Sequence, residues 1–115
     1  MIKSKKISIL YNKGVEIIEI NKIIYFKSDR NYTILITTNK KEFIVSKPIK
    51  FYEDLLKNDS FFRVHKSYIV NFNHIQRYGN KNNNKILLFK DYHIPLSRRI
   101  KSLFVKKFED YINGI

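Results

Sequence analysis

Residues 61–71 read Phe-Phe-Arg-Val-His-Lys-Ser-Tyr-Ile-Val-Asn and combine strand-forming residues with a cluster of polar and basic side chains. Aromatic and β-branched residues at both ends favour two strands, 61–64 and 68–71. Its middle carries two cations, an imidazole and a hydroxyl. Such groups donate hydrogen bonds to phosphate oxygens and base edges, so the stretch indicates a nucleic-acid contact on a β-rich domain.

Short apolar runs on both sides of this stretch predict further strands. The upstream strands are 6–10 and 15–18 around a turn at Asn12 and Gly14, followed by 23–28, 32–38 and 41–45. The downstream strands are 75–78, 85–90 and 93–96, the first two joined by the Asn-rich stretch 79–84, which we expect to be a mobile tip.

Two helices complete the prediction. Ser46 before Pro48 is typical of a helix start, and apolar residues then recur at helical spacing, which predicts a helix over 48–57. After Ser97, a second apolar stripe predicts a C-terminal helix that ends at Gly114. The expected fold is mainly β, with one short helix between strands and a C-terminal helix, in a single domain over residues 1–115.

The composition bounds the function. With 23 Lys and Arg against 10 Asp and Glu, the net charge is +13, which favours a polyanionic partner. Residues 60–108 hold eleven basic residues and one acid, so the positive field lies mainly in the C-terminal half. The absence of cysteine, of a long apolar run and of a secretory signal points to the cytoplasm and to no membrane contact.

An enzyme is not expected. The sequence lacks paired carboxylates, a nucleophile with its base and a phosphate-binding glycine loop, and its three histidines are too scattered to be metal ligands. We therefore expect no catalytic residue, no metal, no cofactor and no small-molecule substrate. A second basic cluster, Pro-Leu-Ser-Arg-Arg-Ile-Lys at 95–101, places three cations near a helix N-terminus, where anions are attracted.

Three segments together resemble the LytTR DNA-binding domain family in order and spacing. They are residues 25–32 (Tyr-Phe-Lys-Ser-Asp-Arg-Asn-Tyr), 61–71 and 94–99 (Ile-Pro-Leu-Ser-Arg-Arg), and the resemblance covers about Ile7 to Tyr111. It implies an elongated β-sandwich without a helix-turn-helix, which inserts loops into successive major grooves of direct-repeat promoter sites and bends the DNA. It also implies a transcription regulator, either the effector half of a two-component response regulator behind a receiver domain or a stand-alone protein.

The resemblance implies base contacts from three loops, made by Asn31 and Tyr32, by Lys66 and by Arg98. In family members where a histidine serves in the first loop, this chain has Tyr32 or Asn31 instead. Arg98 is assigned to guanine, since an arginine fork can bind O6 and N7 together. The phosphate contacts are expected from Lys47, Arg63, His65, Ser67, Arg99 and Lys101. Two copies on adjacent repeats and a monomer in solution are both compatible with this interpretation.

The sequence leaves several alternatives open for single residues and for the ligand of the domain. His65 could be a structural histidine bonded to a strand carbonyl, Arg63 could pair with Asp59 or another acid, and Tyr32 could only cap the meander. The whole domain could instead bind RNA or single strands without sequence preference. It could also be a basic module that binds an acidic membrane or protein by charge alone.

Overall fold

The computed structural model describes residues 5–80 and 83–114, which form ten strands and two α-helices. The strands are β1 Lys6–Tyr11, β2 Gly14–Glu19, β3 Ile23–Asp29, β4 Tyr32–Thr37, β5 Glu42–Val45, β6 Phe61–His65, β7 Tyr68–Asn71, β8 Ile75–Asn80, β9 Asn83–Leu88 and β10 Tyr92–Pro95. The helices are α1 Ile49–Leu55 and α2 Lys101–Ile112. The predicted fold class, mainly β with a short internal helix and a C-terminal helix, is confirmed.

A five-stranded antiparallel sheet lies at the centre, in the order β5-β4-β3-β7-β6. The β1–β2 hairpin and α1 share one hydrophobic core with one face of this sheet, where Phe26, Leu35 and Leu56 are fully buried. On the other face, the β10-β9-β8 sheet and α2 share a second core around Phe104. Two covered faces explain why β3 is apolar at four successive positions instead of alternating.

Two local expectations were wrong in detail, and a third is not tested. The helix start at Ser46 is not a side-chain cap: α1 follows Pro48, and no side chain caps it. The strand predicted over 85–90 ends at Leu88, because Lys90 and Asp91 take positive φ values and turn the chain sharply. The Asn-rich tip lies partly outside the described residues, since 81 and 82 are among those not described.

Asn71, the last residue of β7, connects this strand to the segments that precede β3 and β6. Its side chain is fully buried, and its amide nitrogen donates to the carbonyls of Ile23 at 2.9 Å and Ile20 at 3.3 Å. Its oxygen accepts from the Ser60 hydroxyl at 2.8 Å and from the backbone of Asn73 at 3.0 Å. A buried amide with all these partners holds the end of β7 against the turn before β3.

Candidate nucleic-acid interface

One end of the central sheet brings together the three loops that the sequence singled out. The backbone N–H of Ser28, near the end of β3, donates to the carbonyl of Ser67 at 2.9 Å. The N–H of Ser97 donates to the carbonyl of Val64 at 2.9 Å. These bonds place the β3–β4 turn, the β6–β7 turn and the segment before α2 side by side.

A fourth element reaches the same end through Thr33. This residue is fully buried near the start of β4, and its hydroxyl donates to the carbonyl of Lys47 at 2.7 Å. Lys47 thereby lies next to the β3–β4 turn, with its ammonium 5.0 Å from the centre of the Phe51 ring. A cation held over an aromatic face at the surface remains available to an anion.

An open groove of about 620 Å³ joins the two basic clusters. Its lining residues are Glu53, Arg63, His65, Lys66, Ser97, Arg99 and Ile100. Residues of the 61–68 stretch and of the 95–101 stretch therefore form a single surface, although they are far apart in the sequence. Four of the seven lining residues are cationic or imidazole side chains, a lining suited to an anionic ligand.

Arg63 is held by the protein itself. Its guanidinium donates to the Glu53 carboxylate at 2.9 Å and to the carbonyl of Lys66, while its Nε is buried without a partner among the described residues. The alternative left open by the sequence, an ion pair with an acid, is therefore present, and the acid is Glu53 of α1. This pair fixes the β6–β7 turn that presents Lys66.

His65 is also oriented by the turn. Its Nδ1 accepts a hydrogen bond from the backbone N–H of Ser67 at 3.1 Å, and its ring lies 5.7 Å from that of Tyr68. The partner is a backbone amide and not the strand carbonyl considered above. Because Nδ1 accepts, the neutral ring carries its proton on Nε2, which can donate to a phosphate oxygen.

The side chains with predicted base contacts are exposed. Asn31, Tyr32, Lys66 and Arg98 all lie at the surface, with Tyr32 54% exposed at the first position of β4. Of the remaining predicted phosphate contacts, Arg99 is exposed and Ser67 is half-buried. Lys101 donates to the Asn84 side chain at 3.3 Å at the start of α2.

Arg30 is a further cation at this end, and it lies between the predicted strands 23–28 and 32–38. The β3–β4 connection consists of Arg30 and Asn31, and Arg30 adopts a φ of 58°. A non-glycine residue in this left-handed region is uncommon and marks the turn as tight. Its position beside Asn31 was readable from the sequence, but its exposure at the interface depends on the turn geometry.

Other kinds of site find no support in the described part of the chain. Neither helix there has the length and hydrophobicity needed to cross a membrane. Across residues 5–80 and 83–114, no cluster of three or more His, Asp and Glu side chains could hold a metal ion.

Comparison with known proteins agrees with the geometry. The family described as LytTr DNA-binding domain matches residues 13–109. The chain is 32% identical over 73 residues to the sensory transduction protein LytR of Staphylococcus saprophyticus subsp. saprophyticus. That alignment covers 64% of this chain, and the chain spans only 28% of the length of that relative.

A solved structure shows the same fold. It is the LytTr DNA-binding domain of a methyl-accepting/DNA response regulator from Bacillus cereus, with a TM-score of 0.75 and 25% sequence identity. The match covers 90% of this chain and 95% of that chain. Because the family match also extends over most of the sequence, the chain belongs to the LytTR DNA-binding domain family, which consists of DNA-binding modules and not of enzymes.

Proposed function

We propose that this domain recognises a specific double-stranded promoter sequence and regulates transcription in the cytoplasm. It acts either as the effector domain of a two-component response regulator, behind a receiver domain, or as a stand-alone regulator. The observation that carries this proposal is the convergence of Arg63, His65, Lys66 and Arg99 in one open groove. Exposed loops flank that groove at the same end of the sheet.

The residues divide into two roles. Asn31, Tyr32, Lys66 and Arg98 read base edges, because they are exposed on loops that can enter a major groove. The phosphate contacts, which fix the register on the duplex, come from Lys47, Arg63, His65, Ser67, Arg99 and Lys101. We further propose that two copies occupy adjacent direct repeats and bend the DNA, because loops spread over one end of the sheet reach more of a curved duplex.

Duplex DNA is favoured over RNA or single strands by the placement of the aromatic rings. Stacking of unpaired bases requires exposed rings. Tyr25 and Phe26, which precede the first loop, are buried in the two cores. The exposed rings among the described residues are those of Tyr32, Phe51 and Tyr111. Phe51 lies under the Lys47 ammonium and Tyr111 lies on α2, so few rings are offered to unpaired bases.

The proposal is tested by selection from a library of randomised duplexes at physiological salt, followed by a salt titration on the enriched sequence. We expect a repeated short motif that is bound about a thousandfold or more tightly than random duplex. Uniform retention of all sequences, or tighter binding to single strands or RNA, would overturn the proposal. Either result would indicate a domain that binds polyanions without recognising a duplex sequence.

A further inference from the structure

A second groove, of about 560 Å³, opens between α1 and α2 on the outer side of β6. Three successive residues of this strand, Phe61, Phe62 and Arg63, line it. Because side chains of a strand alternate between its two faces, a cavity that touches three in a row runs along the edge of the strand. Leu103 and Tyr111 of α2 form an apolar wall, 45% and 38% exposed.

The backbone of this edge has unused hydrogen-bonding groups. β6 is the last strand of the central sheet, and the N–H of Phe72 donates to the carbonyl of Ser60 at 2.7 Å, which makes these two a hydrogen-bonded pair. Such pairs alternate in an antiparallel ladder, so Phe62 is the next residue to bond with β7. The N–H and C=O groups of Phe61 and the N–H of Arg63 therefore point outward, into the groove. The regular pairing with β7 ends after Arg63, where the register shifts.

Beyond this register shift, the carbonyl of Val64 also points away from β7, and it already has a main-chain partner. The carbonyl of Val64 accepts from the N–H of Ser97, which passes alongside the strand at the DNA-binding end. Among the described residues, no backbone hydrogen bond outside the sheet involves Phe61 or Arg63. An edge strand with free donors and acceptors is a template for pairing with another extended chain.

The charges around this groove define what kind of chain fits. Its three acids are each paired: Glu53 with Arg63, Asp59 with Lys5 and Asp110 with Lys106. Lys57 and Lys107 line the same groove, and within residues 5–80 and 83–114 neither forms an ion pair or a side-chain hydrogen bond. The uncompensated charge at the rim is therefore positive, above an apolar wall.

We infer that this groove docks an extended, acidic segment of a partner protein, which adds to β6 as a strand. Main-chain bonds to Phe61 and Arg63 supply affinity, alternate apolar side chains lie against Leu103 and Tyr111, and carboxylates meet Lys57 and Lys107. A second copy of this chain is a poor occupant, because both copies carry a net charge of +13. The two grooves share Glu53, Arg63 and Ile100, but Lys66 and Arg99 line only the first. The docked segment therefore leaves Lys66 and Arg99 accessible to DNA.

The test uses isotope-labelled domain, over its full 115 residues, titrated with capped synthetic peptides in which Glu alternates with Val or Leu. We expect backbone NMR shifts centred on Phe61, Arg63, Leu103 and Tyr111. A peptide N-methylated at the pairing residues should bind at least about tenfold more weakly, since it loses the main-chain donors. A peptide with Lys in place of Glu should not bind. Shifts centred on Lys66 and Arg99, or no shifts with any acidic peptide, would overturn the inference.

A matched pair of variants separates this site from general attraction to a basic protein. Lys57→Glu with Lys107→Glu and the control Lys13→Glu with Lys40→Glu change the net charge equally, and all four side chains are exposed. We expect the first variant to weaken the peptide about tenfold and the control to have little effect. Equal weakening by both would contradict the inference. We expect both variants to lose the same small amount of DNA affinity. This result would indicate that both variants are folded and that peptide binding can be measured independently of DNA binding.

Discussion

Arg63 and Arg98, which we propose as DNA contacts, differ in how the protein holds them. The guanidinium of Arg63 is bound to Glu53 and to the carbonyl of Lys66, so much of its donor capacity serves the fold. Arg98 is exposed, and among the described residues its side chain has no ion pair or hydrogen bond. A free fork can adopt the planar, two-bond geometry that guanine requires.

Replacing Arg98 with Ala should therefore relax sequence preference. We expect the difference in binding free energy between the selected operator and a duplex altered at the contacted base to fall by about 1–3 kcal/mol. Competition binding measures this difference, and Lys107→Ala on the outer side of α2 provides a control cation that should leave it unchanged. Equal losses of affinity for both duplexes would indicate that Arg98 contacts a phosphate and not a base.

Replacing Lys101 should change the salt dependence of DNA binding. If its ammonium neutralises one phosphate, Lys101→Ala reduces the slope of log K against log salt by about 0.9, without changing the preferred sequence. A titration on operator and random duplex measures both slopes. Because Lys101 also bonds to the Asn84 side chain at 3.3 Å, Asn84→Ala is the control variant, since it removes this bond and keeps the Lys101 charge. An unchanged slope in Lys101→Ala would remove this residue from the phosphate contacts.

Among the secondary-structure elements, α1 is linked to the β6–β7 turn through one ion pair. Glu53 on this helix reaches Arg63, and Arg63 reaches the carbonyl of the residue that we assign to base reading. Because both side chains of the pair are about one-quarter to one-third exposed, its direct contribution to folding stability is small, below about 1 kcal/mol. We expect its larger effect on Lys66, because Arg63 also bonds to the backbone carbonyl of that residue.

Glu53→Gln should loosen that turn while it removes a negative charge from the groove. We expect tighter binding to random duplex and a reduced ratio of specific to non-specific affinity, measured on the selected operator. Asp54→Asn is the matched control, since it removes the same charge from the next position, where the carboxylate pairs with Lys50 and not with Arg63. If both variants change the ratio equally, charge alone accounts for the effect and Glu53 has no positioning role.

The junction between β7 and the turn before β3 depends on Asn71. Asn71→Ala leaves the carbonyls of Ile20 and Ile23 without this donor in a buried site. We expect a loss of about 3 kcal/mol in the free energy of unfolding, measured by urea denaturation, because unsatisfied buried groups are costly. Asn58→Ala, at an exposed position, should cost little. A small effect in Asn71→Ala would mean that water replaces the amide.

Across the whole molecule, the two cores are built on opposite faces of one sheet, and Tyr25 lies where the second core meets β7 and β10. Its ring is 5.2 Å from Tyr92 and 6.1 Å from Tyr68, and it is 9% exposed. Burial, with smaller contributions from Tyr92, Tyr68 and Glu42, raises the pKa of Tyr25 to about 12. The folded state therefore favours the neutral phenol.

The raised pKa predicts alkaline sensitivity. Since the folded pKa lies above the ordinary value of 10.0, the associated stability is complete below about pH 10 and is lost as the pH rises towards 12. We expect this loss to reach about 2–3 kcal/mol. Urea denaturation at several alkaline pH values measures it, and Tyr25→Phe should remove that part of the loss while exposed Tyr32→Phe should not. An identical pH dependence in all three proteins would refute the assignment.

Much of the fold was predictable because its signals are local. The hairpins, the meander and both helices follow from apolar spacing within short windows, and the Arg-x-His-x-Ser stretch identified the family. The errors occurred where backbone conformation overrides composition. The apolar run through Phe89 predicts a strand that continues to Lys90, yet the positive φ values of Lys90 and Asp91 end β9 two residues earlier, at Leu88.

The sequence by itself determined the β-rich class, the basic character of the interface and the residue types that can contact DNA, because these depend on neighbours along the chain. Only the tertiary structure decided which loops share one end, since the bond between Ser97 and Val64 joins two segments that are distant in the sequence. It also decided that Glu53 is the partner of Arg63 and that the edge of β6 is open. These features need contacts between distant segments, whose pairing depends on how all the strands and helices pack together.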